Sequence, residues 1–129
     1  MTKNKFCIEY MMNTASQPII WEAISTPLGL QSWLAEEVTA EEKIYTFRWS
    51  EDEVKQAELT HSRNGSFVRF HWLEDEDPKS YFEFRINQNE LTGDYTLLVT
   101  DFAENAEEEE ELRELWDFEV NILQRNCGI

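Results

Sequence analysis

The chain has 129 residues, 41% of them hydrophobic, and a formal net charge of −16. That length suits one ordinary domain able to bury a core without staples, and the hydrophobic content excludes a disordered acidic tail. So negative a chain lacks the clustered Lys and Arg that phosphate neutralisation needs, which argues against nucleic acid and equally against anionic membrane surfaces.

The first pattern is a strand. Phe6, Ile8 and Tyr10 alternate with Cys7, Glu9 and Met11, a period of two. Asn13 to Ser16 breaks it. Ser16 is placed to cap a short helix with Pro18 in its first turn, and Ile19, Ile20, Ala23 and Ile24 recur at helical spacing. Ser25-Thr26-Pro27 ends that helix and starts a second, with Thr26 as cap and Pro27 at the first position. Leu30, Trp33 and Leu34 then share one face at i, i+3, i+4.

From Lys43 the period returns to two. Tyr45, Phe47 and Trp49 form one face of a strand, an acidic turn follows, and Val54 to His61 is a more polar strand. Arg63-Asn64-Gly65 supplies a turn, because Asn-Gly favours positive φ. Val68, Phe70 and Trp72 make the next apolar face, and Phe82, Phe84 and Ile86 the one after the charged loop from Glu74 to Pro78. Tyr95 to Phe102 is the last strand. Both its faces are apolar (Tyr95, Leu97 and Val99 on one, Leu98 and Phe102 on the other), so the pattern leaves its inward side open. Short loops between consecutive strands predict an antiparallel meander.

The acids from Glu104 to Glu111 suit the positive end of a helix dipole. Leu112, Leu115, Trp116, Val120, Ile122 and Leu123 then form a broad apolar stripe, with Gly128 as the stop. The expected class is therefore α+β: one strand, two short helices, five more strands and a long C-terminal helix, six strands in all, in a single domain spanning residues 1–129.

That order matches a helix-grip fold, and one segment is more specific. Pro18-Ile19-Ile20-Trp21-Glu22-Ala23-Ile24-Ser25-Thr26-Pro27-Leu28-Gly29-Leu30, followed by Trp33-Leu34, resembles the conserved early motif of START-like proteins related to activators of the heat-shock chaperone. Trp116 with Leu123 behind it is similar to the end of the same family. The resemblance implies a curved antiparallel sheet gripping the last helix, with a cavity between them. It implies that such a domain binds a lipid, hormone or polyketide, acts as a cyclase, or assists a chaperone, so fold leaves function open.

The seventeen aromatics, five of them Trp, exceed what a minimal core needs. Any pocket is expected to be lined by Trp33, Trp49, Phe70, Trp72, Phe82, Phe84, Trp116 and Val120, and to hold a small apolar or amphipathic molecule between sheet and helix. Trp21 and Trp33 suit two roles, lining that pocket or wedging the small helices against the sheet, and their spacing favours the wedge. The alternative function is a protein-interaction module with an acidic surface and a filled core. A cyclase or hydrolase is the third.

No residue pattern identifies catalysis. His61 and His71 read as surface histidines, since no HxH or HExxH spacing brings metal ligands together. Arg48, Arg69 and Arg85 are expected to pair with Glu58 and Glu83 on the outer face rather than to hold a ligand carboxylate. Glu74 to Asp77 lacks the spacing and glycine of a calcium loop, and no cofactor motif is present. Cys7 and Cys127 read as reduced thiols in a cytoplasmic protein. The N-terminal stretch has no apolar signal core, and no segment reaches the ~20 apolar residues of a membrane span.

Overall fold

The computed structural model describes residues 3–14 and 16–129. The order is β1 (Asn4–Met11), α1 (Gln17–Ser25), α2 (Pro27–Gln31), β2 (Glu37–Glu41), β3 (Ile44–Arg48), β4 (Val54–Arg63), β5 (Phe67–Trp72), β6 (Phe82–Gln88), β7 (Tyr95–Ala103) and α3 (Ala106–Cys127). The strands form one sheet in the order β1-β7-β6-β5-β4-β3-β2, and every neighbouring pair is antiparallel. The fold is the α+β arrangement that the hydrophobic periods predict.

Among the described residues the sheet has seven strands where six were expected. The extra one is β2, whose only buried residue is Val38. It lies at the sheet edge, so most of its side chains face water and no hydrophobic alternation develops. A tight turn joins it to β3 through Glu42, which takes a left-handed φ of 55° without being Gly or Asn.

The small helices form as their capping residues dictate. Thr26 Oγ1 accepts the Gly29 N–H at 2.9 Å, and Pro27 opens α2. Ser16 sits at the α1 N-cap position, but its side chain makes no capping hydrogen bond. Gly29 allows α2 to start directly on α1, because a Cβ there would lie 2.0 Å from the Glu22 carbonyl oxygen. On α3 the cap is Asn105, whose side chain accepts the Glu108 N–H at 2.8 Å. Gly128 ends the helix in a left-handed conformation, φ 68°.

One face of the sheet carries the core. Phe6, Phe47, Phe70, Phe82, Phe84, Leu97 and Val99 are buried there, and Trp116, Val120 and Leu123 from α3 are buried with them. Leu97 and Val99 thus settle which side of β7 points inward. The outer face is held by charge. Glu83 is buried and takes Arg69 at 2.9 Å on one carboxylate oxygen and Arg85 at 3.2 Å on the other. Arg48 pairs with Glu37 of the edge strand instead of Glu58, because Glu37 is its direct neighbour in register.

Candidate functional site

Each predicted lining residue sits on an element that faces α3 or on α3 itself. Phe70 and Trp72 come from β5, Phe82 and Phe84 from β6, Trp49 from the residue after β3, Trp33 from the residues after α2, and Trp116 and Val120 from α3. Six of the eight are buried, while Trp49 and Trp72 are half-buried.

They meet as rings in contact. Phe84 has Trp33 at 5.1 Å and Trp116 at 5.5 Å, both edge-on. Phe82 stacks on Phe70 at 5.1 Å and reaches Trp72 at 4.7 Å. Such centroid separations are those of touching aromatic rings, so the middle of the grip is an interlocked aromatic layer. Phe47, absent from the expected lining, is central to it, touching Trp49, Phe70, Trp72 and Phe82. Its alternation with Tyr45 and Trp49 was the signal that could have found it.

Three indoles are fixed at their polar ends. Trp33 Nε1 donates to the Ala23 carbonyl at 2.9 Å, Trp49 Nε1 to the Leu34 carbonyl at 2.8 Å, and Trp116 Nε1 to Asp101 Oδ2 at 2.9 Å. The first bond makes Trp33 a wedge between α1 and the core. Trp21 is half-buried and packs against the same core.

Open space lies at one end of this layer, under the first turns of α3. A cavity of about 130 Å³ is bounded by Trp72, Asp101, Phe102, Leu112, Lys3 and Asp75, among others. It shares Lys3, Trp72 and Asp75 with a wider surface depression of about 510 Å³. Trp72 is the member of the predicted set that lines both.

The polar rim of the cavity is rigid. Asp75 accepts from Lys3 Nζ at 2.9 Å, Ser80 Oγ at 2.6 Å and the Asp77 N–H at 2.9 Å. Burial pushes its carboxyl up, but these three donors outweigh burial and hold it at about 2. On the inner wall the balance reverses. Burial pushes the Asp101 carboxyl up to about 6, against the hydrogen bonds from Trp116 and the Phe102 N–H. On α3, burial pushes Glu119 up to about 8. Neither acid stood out in the sequence, because nothing in the pattern separates them from the other carboxylates.

Neither histidine lines the cavity, although His71 borders it through Ser80, one of its lining residues. His61 is exposed, while His71 is half-buried, with Nδ1 2.8 Å from the Ser80 carbonyl. Among the described residues, no group of three or more His, Cys, Asp or Glu is placed to hold a metal ion. Cys7 is exposed and Cys127 half-buried, both as free thiols. No helix among the described residues is long and apolar enough to cross a membrane.

A family profile for the START-like superfamily domain matches residues 1–129. The chain belongs to the START-like superfamily. This START-like domain is 48% identical to BfR322 from Bacteroides fragilis, with a TM-score of 0.69, covering 100% of this chain and 94% of that one. It also superposes on DynU16, a protein encoded in the dynemicin biosynthetic locus, at 16% identity and a TM-score of 0.79. That match covers 98% of this chain and 48% of DynU16. The Aha1 dimer from Colwellia psychrerythraea matches at 14% identity and a TM-score of 0.67, over 96% of this chain and 95% of that one. The last two likenesses show the fold alone. No curated protein matches the domain in sequence.

Proposed function

We propose that this START-like domain is a binding module for one small amphipathic molecule, held at the end of the grip between α3 and the sheet. The observation that supports this reading is the cavity at Trp72, walled by an α3 residue, Leu112, on one side and by β7 on the other. Trp72 and Leu112 offer apolar surface to the body of the ligand. Lys3 and Asp75, already locked in an ion pair, border its polar end.

The other seven aromatic-layer residues take part from behind. Phe82 backs Trp72, and Trp116 backs Phe82 at 6.4 Å, so the layer forms a stiff floor. A rigid floor limits the ordering cost of binding. Room for a ligand then lies beside the layer, where the wider depression opens to solvent.

A neutral apolar fluorophore, N-phenylnaphthylamine, tests the proposal. Native protein is expected to enhance its emission with one-to-one stoichiometry and to gain thermal stability as probe is added. Trp72→Ala should weaken probe binding by about tenfold or more, the loss of one aromatic anchor. Equal binding to Trp72→Ala and wild type would show that this cavity is not the site.

A further inference from the structure

The outward side of α3 carries two exposed apolar side chains among its acids. Leu115 and Phe118 are 49% and 64% exposed. With half-buried Ile122 they fall at i, i+3 and i+7, forming one stripe along the helix. Beside the stripe stand the exposed Glu111, four residues before Leu115, and Glu114, four before Phe118, while Arg113 is already paired with Glu109 and Arg125 lies beyond the stripe near the end of the helix.

The stripe leads into a groove. Asn126, one turn beyond Ile122, donates from Nδ2 to the Ser32 carbonyl at 2.7 Å. Ser32 lines a depression of about 360 Å³ whose walls include Ile19, Leu28 and Cys127. Leu28 is 77% exposed and Ile19 45%. From Leu115 to Asn126 the path is roughly 16 Å long, at 1.5 Å per residue, which matches about three turns of a docked helix.

We propose that this face docks a basic amphipathic helix of a partner protein. The apolar stripe supplies the seam, and the acids beside it attract Lys and Arg flanking the partner's own apolar residues. A second copy of the chain suits the face poorly. Pairing two α3 helices would set Glu111 and Glu114 against their counterparts in a molecule that already carries −16. None of Leu115, Phe118 and Ile122 lines the cavity at Trp72, so either proposal can fail without the other.

Two labelled peptides of identical Leu and Lys composition test the inference, one with helical amphipathic order and one scrambled. The amphipathic peptide should bind one to one and shift the amide signals of Leu115 to Ile122 and of Leu28 in a heteronuclear NMR spectrum. Leu115→Ser combined with Phe118→Ser should weaken it by about tenfold or more, since two apolar anchors are lost. Leu91→Ser, at a site 96% exposed in the β6–β7 turn, should bind as wild type does. Both changes lie at solvent-exposed positions, and circular dichroism confirms that the variants are folded. The inference is overturned if the scrambled peptide binds equally well, which would mean attraction by charge alone. It is also overturned if the double variant binds unchanged, if neither peptide binds, or if sedimentation shows the protein dimerising through this same stripe.

Discussion

Trp116 and Asp101 join the helix to the sheet: the indole Nε1 on α3 donates to Oδ2 on β7 at 2.9 Å, while the ring packs edge-on against Phe84 at 5.5 Å. One side chain therefore supplies both the apolar contact and the polar tie of the grip. Trp116→Ala is expected to cost ~3–5 kcal/mol, the usual range for a large buried aromatic. Trp116→Phe keeps most of the burial but leaves Asp101 Oδ2 without its indole donor, so it should cost less than the alanine change and still lower the unfolding midpoint. Urea unfolding of the two variants checks the ranking.

Stability should rise as pH falls from alkaline toward mildly acidic. The Glu119 carboxyl is held at about 8 against an ordinary 4.5, and the Asp101 carboxyl at about 6 against 3.8. For both, the folded state binds protons more tightly than the unfolded chain. The penalty of keeping them ionised is therefore full above the folded value and is relieved as pH drops through it toward the unfolded value. The melting temperature should climb between about pH 9 and about pH 5. Glu119→Gln should melt higher than wild type at the alkaline end, and the gap should close near the acidic end. A gap that is the same at every pH would contradict this assignment.

Asp75 behaves in the opposite sense. Its carboxyl is held at about 2, below the ordinary 3.8, by Ser80, Lys3 and the Asp77 N–H. The stability it contributes is present above about pH 4 and lost only as pH falls through its folded value. At neutral pH, Asp75→Ala strips three donors of their acceptor at a side chain only 12% exposed, which should cost about 1–3 kcal/mol. Hydrogen exchange should quicken in the loop from Leu73 to Ser80, which this carboxylate closes.

The fold was largely legible because apolar residues alternate with a clear period wherever one face is buried. Tyr45/Phe47, Val68/Phe70/Trp72 and Phe82/Phe84/Ile86 each gave a strand with the correct inward side. β2 was missed because an edge strand with one buried residue has no period to read, and its turn at Glu42 lacks the usual residues. The outer-face pairing of Arg69 with Glu83 followed from strand neighbours, while the pairing of Arg48 with Glu37 could not be read from the pattern because β2, which carries Glu37, has no hydrophobic period. The aromatic rings of the set touch one another. Their interlocking could not be read, since spacing shows which face a ring is on but not how far it reaches across. Asp101 and Glu119 were equally hidden, because burial of a single carboxylate depends on tertiary packing.

Salt offers a global check on the acidic surface. With a net charge of −16, carboxylates repel one another most strongly in dilute buffer. Raising sodium chloride to physiological strength shortens screening to about 8–10 Å and should raise the unfolding midpoint. A falling midpoint would mean that ion pairs such as those of Glu83 outweigh the repulsion.

The most direct test of a ligand site at Trp72 is the indole region of a ¹⁵N-resolved proton spectrum, where each of the five tryptophans gives its own Nε1–H signal. Titration with N-phenylnaphthylamine should move the Trp72 signal saturably at one probe per protein. The signals of Trp33, Trp49 and Trp116, tied to Ala23, Leu34 and Asp101, should move far less. An unmoved Trp72 signal, or larger shifts at Trp33 and Trp116, would contradict the account.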